Sequence, residues 1–152
     1  MMQKKLQVEA IQHGSVIDHI PAQQGVKILK FFKFTQTNEK ITIGLNLSTH
    51  NGKSKDLIKV ENTFISDEQA NQLALFAPNA TINQIKDFKV VNKFPVQLPS
   101  SFIGVLACPN SNCISHNEPV KTRFYVNNKT TLKLKCHYCE KSFQRSFFTE
   151  LD

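Results

Sequence analysis

Strand and helix patterns in the order βαββαβ, followed by four cysteines in two close pairs, predict an α+β protein of two parts. The first is a ferredoxin-like βαββαβ sandwich, and the second a small β-rich zinc-ribbon domain. A third observation separates them: residues 93–102 carry Pro95, Pro99, Ser100 and Ser101, the composition of a linker. The expected division is 1–94 for the sandwich, 95–102 for the linker and 103–152 for the cysteine-bearing domain.

The elements follow in order. Leu6, Val8 and Ala10 alternate with polar residues as a strand does, and His13-Gly14 breaks the run before Val16-Ile17. Pro21 opens a segment in which Val26, Leu29 and Phe32 recur at helical spacing. Ile41, Ile43, Leu45 and Leu47 alternate strictly, so residues 40–47 form the clearest strand. A loop over 48–54 with Asn51-Gly52 leads to a further β-rich run over 57–62. Ser66 and Gln69 make a capping box, in which each side chain satisfies an orphan backbone N–H of the other. The helix they start should bury Leu73, Phe76 and Ala77 and stop at Pro78. Residues 81–85 and 88–91 read as closing strands.

Composition limits the functions open to the chain. With 40% hydrophobic and 20% charged residues it should fold rather than stay disordered. No apolar run approaches the ~18 residues of a membrane span, and no secretory pattern follows Met1, so a soluble, cytoplasmic protein without membrane partners is expected. The net charge of +7 divides as +4 over residues 1–94 and +3 over 95–152, with no block of like charges. Spread in this way, it favours local anion sites over a nucleic-acid stripe.

The cysteines carry the clearest chemistry. Cys108-x4-Cys113 and Cys136-x2-Cys139, with 22 residues between the pairs, suit the four corners of a tetrahedral Zn²⁺ site. Two disulfides would need an oxidising compartment, a redox Cys-x2-Cys leaves the first pair unexplained, and an iron–sulfur cluster stays as an alternative. Four thiolates fill the coordination sphere, so one zinc ion per chain would be structural, without an open position for water. Residues 103–152 hold too few apolar side chains to fold unaided, which is the need such a staple meets.

Signs of catalysis are absent. The five glycines are scattered and form no phosphate-binding loop, and Asp18-His19, adjacent on a strand, would point to opposite faces. Residue chemistry alone gives an anion pocket in the first domain and a docking domain built on zinc in the second. Two other readings remain: a zinc-ribbon nucleic-acid-binding protein, favoured only by charge, and a small nucleotide-processing enzyme, for which no catalytic set is visible.

Longer segments point to a family. Leu6-Gln-Val-Glu-Ala-Ile11, Gly14-Ser-Val-Ile-Asp-His-Ile-Pro-Ala22, Ile41-Thr-Ile-Gly-Leu-Asn-Leu47, Asp56-Leu-Ile-Lys-Val-Glu-Asn62 and Cys108-Pro-Asn-Ser-Asn-Cys-Ile-Ser-His116 resemble, in order, the aspartate carbamoyltransferase regulatory chain. The resemblance implies a non-catalytic subunit that pairs as a homodimer, binds ATP, CTP and UTP in its first domain and docks on catalytic chains through its zinc domain. It also implies site residues. The base would lie near Ala10, Ile11, Val16, Ile85 and Phe88, with Asn83 in the same set. Asp18 and Lys59 would serve the ribose, His19, Val90 and Lys93 the phosphates, and Lys55 a second nucleotide or a Mg²⁺-bridged pair. If residues 40–47 lie at a sheet edge, they could pair with the same strand of a second copy, and proline at Thr42 or Gly44 should then separate the dimer.

Overall fold

The computed structural model describes residues 10–151, which fold as two units, the first ending at Gln97 and the second beginning at Leu98. The first unit holds β1 (Gly14–Pro21), α1 (Gly25–Phe31), β2 (Ile41–Ser48), β3 (Ser54–Glu61), α2 (Asp67–Leu73), β4 (Thr81–Lys86) and β5 (Lys89–Pro95). Its sheet runs β2-β3-β1-β4-β5 with every neighbouring pair antiparallel. The first four strands have the ferredoxin-like order expected, and β5 adds a hairpin at one edge. Of the alternating run at Leu6, Val8 and Ala10, the first two lie outside the described residues. Among the described residues the sheet begins at Gly14. A side chain there would overlap the Val60 carbonyl, and the residue sits at φ +141°, which only glycine adopts with ease.

Both helices cover one face. Ile17, Ile58 and Ile82 are cross-strand neighbours and almost fully buried on that side, together with Ile28 of α1 and Ala70 and Leu73 of α2. Phe31 and Phe76 meet with ring centroids 5.1 Å apart, which brings the two helical segments together. The core-facing stripe of α1 is Gly25 and Ile28, whereas Val26 is 40% exposed, so the expected stripe is rotated. Its start explains this. Gln24 gives no side-chain cap, and the Asp56 carboxylate of β3 instead accepts the Gly25 N–H at 2.9 Å. The second helix starts as expected: the Ser66–Gln69 capping box is complete, and Leu73, Phe76 and Ala77 are buried. Ser66→Ala should lower unfolding free energy by about 1 kcal/mol, measurable by denaturant titration.

The alternation expected along β2 breaks midway. Pairing with β3 shifts between Gly44 and Leu47, and Asn46 adopts φ 58°. This bulge moves Leu47 to the helix-free face, where it packs on Ile11, Val16, Leu57 and Ile85, and leaves Leu45 46% exposed. Asp56 again is the cause, since its other oxygen accepts the Asn46 N–H at 3.0 Å. A fully buried carboxylate thus fixes both the bulge and the start of α1.

β2 is an edge strand. The Glu61 N–H donates to the Lys40 carbonyl, so residues 40 and 61 form a hydrogen-bonded pair. By alternation Thr42 and Gly44 also direct their N–H groups inward to β3, and those of Ile41 and Ile43 point outward. Proline at Thr42 or Gly44 would therefore break the sheet itself, not an edge contact.

The second unit has a four-stranded sheet, β10 (Ser142–Gln144), β9 (Lys133–Cys136), β8 (Arg123–Asn128) and β6 (Ser101–Ile103) in that order. β7 (Leu106–Ala107) pairs with β11 (Thr149–Glu150). Its core is small: besides the buried cysteines it holds Phe102, Val105, Leu106, Phe124, Leu134 and Phe148, with the Phe124 and Phe148 rings 4.8 Å apart. Among the described residues no helix is long and apolar enough to cross a membrane.

Candidate functional site

Strand register brings several singled-out residues onto one line. Lys59 of β3 opposes Val16 of β1, Val16 opposes Asn83 of β4, and Asn83 opposes Lys93 of β5. Directly opposed residues share a face, so this row crosses four strands on the side without helices. The next row, Gly14, Ile85 and Val90, runs beside it on the same side. Val16 and Ile85 join Ile11, Leu57 and Leu47 in a small apolar floor. At its middle the Asn83 Oδ1 is buried with no hydrogen-bond partner among the described residues. A buried acceptor left unmatched costs about 1–3 kcal/mol unless a donor arrives. Lys59, only 7% exposed, lies two strands to one side, and the exposed Lys93 lies on the other. The floor thus offers flat apolar contact, an unmet acceptor and two flanking cations.

Asp18, Lys55 and His19 gather at one end. Lys55 Nζ lies 2.8 Å from Asp18 Oδ1. Partial burial works against the Asp18 charge, but Lys55 and the His19 N–H, 2.7 Å away, outweigh it and hold the carboxyl below its usual range. That pair loses its contribution as pH falls through the lowered value, not at neutrality. His19 bulges from the strand at φ 58° and its Nδ1 lies 3.1 Å from Thr81 Oγ1. At the opposite end Phe88 is 64% exposed at the tip of the β4–β5 turn, and Val90 is 57% exposed. Ala10 is exposed and belongs to no strand. Residue patterns missed Leu47, which reaches the floor only through the bulge.

The cysteines form the second centre. Cys108, Cys113, Cys136 and Cys139 place their sulfurs within 4.8 Å of one another, and the first three are buried. Cys108–Cys139 is 3.8 Å and Cys113–Cys136 is 3.7 Å, far beyond the ~2.05 Å of a disulfide, and all four are free thiols. Burial pushes the Cys108 and Cys136 thiols up. It opposes ionisation of Cys113 too, but hydrogen bonds from Ser115 and the neighbouring thiols prevail and bring that thiol down to about 7. The strands explain the convergence. β8 and β9 pair so that Cys136 lies opposite Phe124, and the Cys136 N–H donates to the Lys141 carbonyl, closing the second knuckle. His116 stays outside the cluster, with Nε2 3.0 Å from the carbonyls of Cys108 and Asn110.

Two family models match: the aspartate carbamoyltransferase regulatory chain, allosteric domain, over residues 6–97, and the metal binding domain of the same chain, over residues 100–148. The chain belongs to the aspartate carbamoyltransferase regulatory chain family. Relatives bearing that name align along almost their whole length. One from Psychromonas ingrahamii is 83% identical over 151 residues, 99% of this chain and 100% of the relative. Another from Tolumonas auensis is 62% identical over 148 residues, covering 97% and 96%. One from Vibrio cholerae is 56% identical over 149 residues, covering 97% and 96%. The first unit is thus an allosteric domain and the second a metal-binding domain, and the chain is regulatory, not catalytic.

Proposed function

We propose that this regulatory chain binds ATP, CTP and UTP on the helix-free sheet face and docks on the catalytic chain through a zinc-bearing second unit. It would thereby adjust aspartate carbamoyltransferase activity in cytoplasmic pyrimidine biosynthesis. One observation carries the nucleotide reading: the row Lys59, Val16, Asn83, Lys93, with an unpaired buried acceptor between two cations. A base can lie on Ile11, Val16 and Ile85 near Phe88 and donate to a free carbonyl oxygen. Asp18 and Lys59 suit ribose hydroxyls and His19 and Lys93 the phosphate side, whereas Val90, paired with Ile85, lies at the Phe88 end. Lys55, paired with Asp18, would serve a second nucleotide or a Mg²⁺-bridged nucleotide pair. No glycine-rich cradle is needed, because lysines act as point charges toward phosphate. Regulation is then a coupling free energy of about 1–3 kcal/mol, since a nucleotide that prefers one quaternary state shifts the balance.

Zinc fits the cysteine cluster. At Zn–S distances of about 2.3 Å a regular tetrahedron has edges of about 3.8 Å, and the closest sulfur pairs lie at 3.7 and 3.8 Å. With four thiolates the ion would be structural. The outward N–H groups of Ile41 and Ile43 make β2 the natural strand for pairing two copies about a two-fold axis.

The nucleotide reading is tested by calorimetry. Lys59→Ala and Lys93→Ala should each weaken ATP and CTP binding by about 1.5–3 kcal/mol, the usual strength of a charge-assisted hydrogen bond. Wild-type affinity in both variants would remove this face as the site.

A further inference from the structure

We infer that His13 is a positioning residue for the effector site, acting through a strap that holds the β4–β5 turn against the end of the sheet. This role rests on the nucleotide reading above and adds a residue to it. Asp87 and Phe88 make the turn with φ 51° and 63°. Left-handed backbone at both positions is the geometry that closes a two-residue hairpin, and it favours Asn-Gly. Phenylalanine is poorly suited to it, so the conformation persists only where neighbours impose it.

The neighbours are the residues just before β1. The Phe88 N–H donates to the Gln12 carbonyl at 3.0 Å, and the Asp87 N–H donates to His13 Nδ1 at 3.3 Å. His13 Nε2 lies 3.8 Å from Asp87 Oδ1. On the other side the His13 carbonyl accepts the Asn62 N–H at 2.9 Å, which ties the strap to the end of β3. Gln12 and His13 therefore bridge β3 and the β4–β5 turn across the end of β1. Ile11, immediately before them, is buried in the apolar floor, while Phe88, hydrogen-bonded to Gln12, remains 64% exposed. The strap fixes two things at once: where Ile11 enters the floor, and where the Phe88 backbone and ring stand at its rim. Both belong to the end of the site that receives the base.

The role of His13 is specific to one atom. Nδ1 must accept a hydrogen bond from the turn. Asparagine places Oδ1 close to that position, whereas glutamine reaches toward the position of Nε2. ATP calorimetry on full-length His13→Ala, His13→Asn and His13→Gln, with Lys59→Ala and Lys93→Ala alongside, separates the possibilities. Loss of one neutral hydrogen bond should weaken ATP about three- to tenfold in His13→Ala and His13→Gln, with His13→Asn restored to within about twofold of wild type. Wild-type affinity in His13→Ala while Lys59→Ala or Lys93→Ala binds poorly would overturn the strap alone. Equal affinities in the asparagine and glutamine variants would overturn it as well. Wild-type affinity in both Lys59→Ala and Lys93→Ala would overturn the nucleotide-site reading and the role of His13 with it.

Discussion

Cys113→Ser is expected to unfold the second unit while the first remains intact. This unit has a core of only a few aromatic and aliphatic side chains, among them Phe102, Leu106, Phe124, Leu134 and Phe148. Thiolate ligation of a structural zinc supplies roughly 10–16 kcal/mol of apparent binding free energy, more than so small a core provides. The pKa of the Cys113 thiol is lowered and the residue is almost fully buried, so serine would remove a central member of the proposed metal site. Hydrogen exchange should show protection lost from about residue 98 onward and kept in β1, β3 and β4. Bound zinc should fall from about one per chain to near zero, and association with the catalytic chain should fail. A variant that keeps its protection and assembles normally would show that the metal is not what folds this unit.

Ile43→Pro is expected to separate the dimer proposed to form through β2. Its N–H points away from β3, and in a two-fold pairing each lost donor counts twice. Two hydrogen bonds at about 1 kcal/mol each correspond to about 30-fold weaker association. Thr42→Pro is the contrasting control, because its N–H serves the β2–β3 ladder and its loss should lower stability in monomer and dimer alike. Light scattering across a dilution series, with thermal melting, distinguishes the two. An Ile43→Pro chain that folds and dimerises as wild type does would place the contact on another surface.

The parts of this molecule legible in its residues are those fixed by local chemistry. Ser66 and Gln69 lie three apart and satisfy each other, so the start of α2 can be read directly. The strand order follows from element types, because a βαββαβ chain has few ways to cover one sheet face. The cysteine spacing brings four thiols to one place for similar reasons. What was hidden depends on a carboxylate distant in sequence. Asp56 holds the N–H groups of Gly25 and Asn46, 31 and 10 residues away, and so sets the phase of α1 and the bulge of β2. No periodicity reports such a contact. Leu47 consequently changes faces, and Ile28 takes the place in the core that the pattern gives Val26. The row through Lys59, Val16, Asn83 and Lys93 is hidden in another way. Resemblance names its members one by one, but their alignment is a property of three strand registers, each sensitive to a one-residue slip.

Whether this row receives the nucleotide whose binding is felt by the catalytic chain is tested most directly by reconstitution. The enzyme is assembled from wild-type catalytic chain and the double variant Lys59→Ala, Lys93→Ala, and turnover is measured across an ATP and CTP titration. Assembly and turnover without nucleotide should be normal, with the response to both effectors flattened over the range that saturates wild type. An undiminished response at wild-type nucleotide concentrations would contradict a nucleotide site on this face.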